Sequence, residues 1–357
     1  MIRIGMDAWN LPGDQRGIGR YVRSVLATWA TSAADRVSVR LVIPERITWF
    51  AAKRYRNELD GLCHYESSSR SRLAAAKLDV LWFPFNGVSW RDTFPGPAVA
   101  TLHDASTFVL PEYGDDARAP FRLAATRCTR LLTDSHFSAT ELARELAIPL
   151  ERLTTVPLGV APARDAAAHP SIDPGRFGRF VLYVGGTEPR KNLKTVFAAM
   201  RRLAERGAQL TLVLIGTMPF TPPPPDDVHI AALGHVDDET LVAFYRACVA
   251  FIYPSTYEGF GLPILEAMSY GAPVIAARSS SLPEVGADAA LYVDPYDDSG
   301  FADAITALLE RPALVADLRE RGLARAAAMT WERTAEATLT VIEEVVAAMR
   351  AANGKGD

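Results

Sequence analysis

The chain has 357 residues, a formal net charge of −4 and 49% hydrophobic residues. This hydrophobic fraction supplies sizeable cores and excludes a disordered chain, and the weak negative charge argues against a general nucleic-acid binder. The length suits two domains of about 150 to 180 residues better than one.

The cysteines and the N-terminus predict a cytoplasmic protein. Cys63, Cys128 and Cys248 lie far apart, without the spacing of a metal site or a disulfide framework. The chain enters a strand at once, which predicts no signal peptide, and no apolar run approaches the roughly 18 residues of a membrane span. The stretch 49–56, with Arg70 and Arg72, leaves open a peripheral contact with an anionic inner membrane face; a solvated helix with buried aromatics is the alternative.

Short apolar runs alternate with amphipathic stretches along the whole chain, which predicts an α/β fold with doubly wound parallel sheets. A stretch rich in helix breakers, 161–175, reads as a linker between an N-terminal domain, 1–165, and a C-terminal domain, 175–330. A last amphipathic helix is predicted over about 331–351. The predicted strands are Ile2–Met6, Val37–Ile43, Val80–Phe85, Ala98–Leu102, Leu131–Asp134, Phe180–Val184, Leu210–Ile215, Val249–Tyr253 and Pro273–Ala276.

Two segments of the N-terminal half carry candidate site residues. Gly17 and Gly19 open a predicted helix, where a diphosphate or an acceptor can approach the backbone, although an ordinary turn fits as well. The spacing is not that of a dinucleotide fingerprint, which removes the best support for an NAD enzyme. His103 follows a strand and is free to donate to a sugar hydroxyl or to polarise a reacting centre, with Asp104 orienting it; a satisfied surface histidine is the alternative.

In the C-terminal half, the strand ending at Val184 is followed by a tight turn with Arg190 and Lys191 at a predicted helix start. Cations are normally favoured at the C-terminus of a helix. Two cations at an N-terminus therefore suggest that a bound anion offsets their unfavourable interaction with the helix dipole. A solvated pair is the alternative. No Asp-x-Asp pair, which would bind a divalent metal on a diphosphate, occurs in the sequence.

The stretch 253–275 is the most informative part of the chain. Glu258 and Glu266 stand eight residues apart, around a glycine-rich loop and a helix predicted from Pro263 through Tyr270, with Glu266 in its first turn. The backbone N–H groups of Phe260, Gly261 and Leu262 are then available to an anion at the helix N-terminus. A strand-to-helix turn with solvated glutamates is the alternative.

The run from Glu258 through Gly-Phe-Gly-Leu-Pro-Ile-Leu to Glu266-Ala-Met resembles the E-x7-E motif of the retaining glycosyltransferases of family 4, which have the GT-B fold. The resemblance implies two Rossmann-like domains facing each other across a cleft, the C-terminal one for the nucleotide-sugar and the N-terminal one for the acceptor. It further implies that Glu258 contacts the donor sugar and Glu266 the nucleotide ribose, and that the last helix packs back on the first domain.

The same resemblance assigns the remaining candidates. Lys191, with Arg190, corresponds to the cations that hold the leaving diphosphate, and His103 to a histidine near the donor sugar. Gly17 and Gly19 correspond to a glycine loop that faces phosphate, and Val236 to a nucleobase contact.

The expected function is retaining, metal-independent transfer of a sugar from a nucleotide-diphosphate-sugar to a hydroxyl of a glycan, lipid-linked or small-molecule acceptor, with no cofactor. The region Gly17–Tyr21 resembles bacterial polysaccharide mannosyltransferases, which makes GDP-mannose the first donor to test. A nucleotide-sugar epimerase of the same fold and a non-catalytic sugar-nucleotide-binding protein are the alternatives.

Overall fold

The computed structural model describes residues 1–11, 17–43, 65–69, 77–90, 94–161, 163, 170–217 and 228–353. It divides the chain into two compact units. Unit 1 is Met1–Gly159 with Trp331–Asp357, and unit 2 is Val160–Thr330. The stretch 49–56, Arg70 and Arg72, which carry the predicted membrane contact, lie outside the described residues, as does Cys63.

Unit 1 contains a parallel sheet whose described strands run in the order β3-β2-β1-β4-β5-β6-β7. The central residues of β1, β4, β5 and β6 are all buried, as expected for parallel strands that are covered on both faces. The strands are β1 Ile2–Asp7, β2 Val37–Ile43, β3 Tyr65–Ser69, β4 Val80–Phe83, β5 Ala98–Thr101, β6 Arg130–Thr133 and β7 Leu153–Thr155.

Unit 2 repeats this architecture with a parallel sheet in the order β10-β9-β8-β11-β12-β13. The sequence order reverses between β8 and β11, which is the position where such sheets open a crevice at the carboxyl ends of their strands. The strands are β8 Phe180–Val184, β9 Thr211–Ile215, β10 Ile230–Gly234, β11 Ala250–Tyr253, β12 Val274–Ala277 and β13 Ala290–Val293.

The described helices follow the strands in the alternation expected from the sequence. In unit 1 they are α1 Gly17–Ser32, α2 Ser106–Val109, α3 Asp115–Arg127 and α4 His136–Leu146. In unit 2 they are α5 Leu193–Glu205, α6 Asp238–Ala247, α7 Leu262–Ser269, α8 Leu282–Gly286, α9 Asp298–Glu310 and α10 Pro312–Ala328, and α11 Trp331–Asn353 returns to unit 1.

Helix α11 is joined to unit 1 by a hydrogen bond from α1 and by ion pairs from Arg36, which lies between α1 and β2. The buried Trp29 of α1 donates its indole N–H to the carbonyl of Ala335 at 2.9 Å. Arg36 pairs with Glu336 at 2.8 Å and with Glu343 at 2.9 Å.

Within the described ranges, no helix is long and apolar enough to cross a membrane.

Candidate active site

A short helical turn, Pro189–Lys191, places the two predicted cations of unit 2 at the carboxyl end of β8. Asn192 ends the turn in a left-handed conformation with φ 56° and donates its side-chain amide to the carbonyls of Pro254 and Pro295. Thr256 donates its backbone N–H to the carbonyl of Arg190 at 2.7 Å. The turn is therefore fixed to the loop that follows β11.

The cations converge on one carboxylate oxygen. Lys191 Nζ lies 2.7 Å from Glu258 Oε1, and Arg190 Nη1 lies 2.9 Å from the same atom. Lys191 Nζ also donates to the hydroxyl of Tyr253 at 2.9 Å and lies 5.1 Å from the centre of its ring. Lys191 and Glu258 are only 8% and 9% exposed, so the pair is largely removed from water.

The pKa values follow from this arrangement. Burial opposes ionisation of Glu258, but Lys191 and Arg190 outweigh it and lower the pKa of the carboxyl below its ordinary value. Burial raises the pKa of the Tyr253 hydroxyl well above its ordinary value, and the Glu258 carboxylate adds to that rise. The cluster therefore holds two cations, one carboxylate and one neutral phenol.

The loop after Glu258 leads into the N-terminus of α7. Gly261 has φ 105°, and a Cβ at this position would meet a Leu282 side-chain carbon at 2.7 Å, so only glycine fits here. The helix begins at Leu262 rather than at Pro263, so Glu266 is the fifth helical residue and lies beyond the first turn, against the prediction. Glu266 is half-buried. In the first turn of α7, Pro263 has no N–H and the N–H of Ile264 donates to the carbonyl of Gly261 at 2.9 Å, so the N–H groups that face outwards at this helix start are those up to Leu262.

In unit 1, His103 is buried and both of its ring nitrogens face acceptors. Nδ1 lies 2.8 Å from the Asp134 carboxylate, and Nε2 lies 3.0 Å from the carbonyl oxygen of Pro84. Only the imidazolium donates to both partners at once. Burial by itself lowers the pKa of His103, but Asp134 and the Pro84 carbonyl outweigh it, so the pKa lies above its ordinary value.

The partner that orients His103 is Asp134, not Asp104 as predicted. The Asp104 carboxylate instead accepts the backbone N–H of Ser106 at the start of α2. Asp134 directly follows β6 and His103 follows the neighbouring strand β5, so the two side chains meet beyond the carboxyl ends of adjacent strands. Ser135 accepts the N–H of Ser138 at 3.0 Å and caps α4.

The remaining predicted residues lie at strand ends or helix starts. Gly17 is the exposed first residue of α1, with φ 26°, and Gly19 is buried in its first turn. Val236 is half-buried in the segment between β10 and α6. A Cβ at Gly216 would meet the carbonyl oxygen of Gly185, so the ends of β8 and β9 approach closely. The structure brings Arg190, Lys191 and Glu258 together.

Sequence reasoning missed Tyr253 and Asp134. Tyr253 was predicted only as a strand residue. It is the last residue of β11, and its hydroxyl accepts a hydrogen bond from Lys191. A polar or amphipathic residue at the carboxyl end of an otherwise apolar strand was the available signal for both Tyr253 and Asp134. Within the ranges given above, no group of three or more His, Cys, Asp or Glu side chains is placed to hold a metal ion.

Comparison with known proteins places these residues in a family. The model of the family "Glycosyl transferases group 1" matches residues 176–325, which include the cluster around Glu258. The chain is 35% identical over 266 residues to O-antigen chain mannosyltransferase B of Escherichia coli, covering 68% of this chain and 69% of that protein. It is 31% identical over 241 residues to MMP alpha-(1->4)-mannosyltransferase of Mycolicibacterium hassiacum, covering 64% of this chain and 57% of that protein.

Solved structures agree on the fold. Sucrose-phosphate synthase from Thermosynechococcus elongatus superposes with a TM-score of 0.73 at 20% identity, over 98% of this chain and all of that one. Anabaena HepE in complex with UDP and glucose gives a TM-score of 0.72 at 17% identity, over 96% of this chain and all of that one. The predicted GT-B fold is confirmed.

Proposed function

Because this chain belongs to the family of glycosyl transferases group 1, we propose that it moves a hexose from a nucleotide-diphosphate-sugar to an acceptor hydroxyl with retention at the anomeric carbon. The observation that carries the proposal is the convergence of Lys191 and Arg190 on Glu258, in the unit that also supplies the N-terminus of α7.

The charge of this cluster favours an anionic ligand. Two cations face one carboxylate at 2.9 Å or less, so the cluster of Lys191, Arg190 and Glu258 carries one more positive than negative charge, with Arg190 only half-buried. Glu188, whose backbone begins the turn, is the next carboxylate, but its side chain is exposed to solvent. A diphosphate at the N-terminus of α7 compensates the excess and binds the N–H groups of residues 260–262.

The same groups stabilise the departing phosphate. In the proposed step the bond between the anomeric carbon and the diphosphate oxygen breaks, and its electron pair remains on the phosphate. Lys191, Arg190 and the N–H groups of residues 260–262 are fixed before the reaction, so they stabilise this charge without reorganisation. The acceptor oxygen bonds to the anomeric carbon on the same face, and its proton passes to the leaving phosphate.

Other residues orient the donor. We assign Glu258 to the sugar hydroxyls, Glu266 to the ribose hydroxyls and Val236 to the base, with Gly17 and Gly19 admitting the donor to the backbone of α1. In this proposal unit 2 supplies the contacts to the base, the ribose and the transferred sugar, and unit 1 receives the acceptor.

His103 is assigned to a substrate hydroxyl. Its Nδ1 is held by Asp134, whereas Nε2 donates to a single carbonyl, that of Pro84. A sugar hydroxyl can replace this carbonyl as the acceptor of the Nε2 proton, which keeps the imidazolium fully paired.

The transfer is proposed to be independent of a metal ion, because the fixed cations and helix N–H groups perform the charge compensation that a divalent ion performs elsewhere. The relatives named as mannosyltransferases support GDP-mannose as the donor and a bacterial polysaccharide as the acceptor. A membrane carrying a lipid-linked acceptor is the setting in which the stretch 49–56 would act.

The test is a thermal-shift screen of the wild-type protein against GDP-mannose, UDP-glucose, ADP-glucose and dTDP-glucose, followed by product analysis with the donor that stabilises it. We expect GDP-mannose to raise the melting temperature most and the product to keep the α-configuration by NMR. A product of inverted configuration contradicts the retaining step. Conversion of the donor without any acceptor, into an epimer, supports the epimerase instead.

A further inference from the structure

Three consecutive serines, Ser279–Ser281, bond the backbone of the loop that carries Glu258. Ser279 Oγ donates to the carbonyl of Ser255 at 2.6 Å. Ser280 Oγ accepts the N–H of Glu258 at 3.0 Å. Ser281 Oγ lies 2.9 Å from the carbonyl of Glu258 and 2.8 Å from that of Phe260. We call these residues the serine triplet.

The backbone of the serine triplet is strained where it holds Glu258. Ser280 has φ 45°, a left-handed conformation that side chains other than glycine rarely adopt. Such a residue persists only when its surroundings determine its conformation, and strain of this kind concentrates at functional sites. Ser281 has no exposed surface, so its hydroxyl exchanges no hydrogen bonds with bulk water.

The bonds fix the loop on both sides of the carboxylate. They hold the N–H and the carbonyl of Glu258 and the carbonyl of Phe260, which are the groups immediately before the start of α7. A carbonyl and the N–H of the next residue share one peptide plane, so Ser281 holds the N–H of Gly259 through the carbonyl of Glu258 and the N–H of Gly261 through the carbonyl of Phe260. Rotation of one peptide plane would move both the carboxylate and an N–H group.

We propose that the serine triplet positions Glu258 and the N–H groups of residues 260–262 for the departing phosphate, so that its hydrogen bonds set the rate of sugar transfer. This inference rests on the proposed function. The serines touch no substrate; they act through the loop and are positioning residues.

The first experiment replaces Ser280 by Gly and uses Ala287→Gly as the matched control. Both residues have nearly the same positive φ, 45° and 46°, and both lie in unit 2, but Ala287 is exposed and has no part in the triplet. Glycine relieves the strain at either position. Only Ser280→Gly also removes the acceptor of the Glu258 N–H.

We expect Ser280→Gly to lower kcat and kcat/KM for the donor equally, by about tenfold, while its melting temperature stays at or above the wild-type value. An equal loss in both constants is the sign of an interaction made in the transition state. Ala287→Gly should keep wild-type kinetics. Wild-type kinetics in Ser280→Gly would overturn the inference, as would a kinetic loss of the same size in Ala287→Gly.

The second experiment replaces Ser281 by Ala, with Thr211→Val as control. Thr211 donates its hydroxyl to the carbonyl of Phe177 at 3.1 Å, at the opposite end of the same sheet. Hydrogen exchange of the peptide 255–262, followed by mass spectrometry without ligand, should quicken several-fold in Ser281→Ala and stay unchanged in Thr211→Val. Unchanged exchange in Ser281→Ala contradicts the positioning role.

The kinetic assays use whichever of GDP-mannose, UDP-glucose, ADP-glucose or dTDP-glucose the wild-type protein converts. If the wild-type protein converts none of them, the proposed function fails, and the positioning role fails with it. If it converts one, and the two serine variants match it in rate, only the serine triplet is refuted.

Discussion

Two buried ion pairs, one in each unit, differ in how completely their charges are satisfied. In unit 1, the His103 imidazolium has one carboxylate and one carbonyl for its two N–H groups. In unit 2, Lys191 and Arg190 share a single carboxylate oxygen of Glu258 beside a helix N-terminus. In unit 1 the positive charge of His103 is matched by the negative charge of Asp134. In unit 2 the two cations exceed the single carboxylate by one positive charge, which we propose an anionic ligand compensates.

This difference predicts where substitutions act. Removing one partner of a balanced buried pair leaves an uncompensated charge and reduces the free energy of unfolding. If the cluster of Lys191, Arg190 and Glu258 binds the diphosphate as proposed, removing one of its cations should reduce ligand binding and turnover.

The largest effect is expected for Lys191→Ala. The substitution removes a donor aimed at the departing phosphate, so turnover should fall by about 10²- to 10³-fold. Steady-state release of the nucleoside diphosphate from the donor measures it. Lys194→Ala, three residues on and exposed in α5, is the matched control and should keep wild-type turnover. Equal rates in both variants would remove Lys191 from the site.

Glu258→Gln sharpens the contrast, because it should separate turnover from binding. Loss of the carboxylate weakens the contact with the sugar hydroxyls, and turnover should fall by about 10²-fold. The site gains one positive charge, so GDP should bind at least as tightly as in the wild-type protein, as calorimetric titration would measure. Glu205→Gln, exposed at the end of α5, is the control. Weaker GDP binding in Glu258→Gln would contradict the charge excess.

Asp134→Asn should act mainly on stability. The pKa of His103 is raised in the folded protein, so its contribution to the free energy of unfolding is complete below the ordinary pKa near 6.5 and is lost as pH rises through the raised value. The free energy of unfolding of the wild-type protein should therefore fall as the pH rises above about 6.5. Asp134→Asn should lower the free energy of unfolding by about 3 kcal/mol at pH 6, and it should weaken the dependence of that free energy on pH.

Urea unfolding of the wild-type protein and Asp134→Asn between pH 6 and pH 9 measures both effects. Asp116→Asn is the control, since Asp116 is exposed in the first turn of α3, in the same unit. A wild-type stability that rises with pH across this window, or the same pH dependence in Asp134→Asn, would show that the pair is not held as an imidazolium and a carboxylate.

Treatment with EDTA is expected to have no effect. If fixed cations and helix N–H groups compensate the diphosphate, chelation should leave the turnover of the wild-type protein unchanged. Loss of activity on chelation, restored by added magnesium, would contradict this account. The control is a metal-dependent glycosyltransferase assayed in the same buffer.

Much of the fold was available from the sequence, because parallel strands buried on both faces give continuous apolar runs. Four observed strands are absent from the strands predicted above. β3, Tyr65–Ser69, carries three serines and β7, Leu153–Thr155, is three residues long, while β10, Ile230–Gly234, and β13, Ala290–Val293, are only partly buried. All four lie at an edge of their sheet, where a strand has a neighbouring strand on one side only.

The candidate residues were found more readily than their contacts. Glu258 and Lys191 stand in recognisable local patterns, yet they lie 67 positions apart, and no local pattern shows that they meet. Asp104 was preferred as the partner of His103 because it is adjacent in sequence. Asp134, 31 positions away, is the partner because β5 and β6 are neighbours in the sheet. Pairing of this kind is determined by strand order.

The most direct test of the central claim is a crystal structure of the wild-type protein with bound GDP. We predict that its phosphate oxygens lie within hydrogen-bond distance of Lys191 Nζ and of the N–H groups of residues 260–262. A diphosphate bound away from both would contradict the claim that this cluster compensates the leaving group.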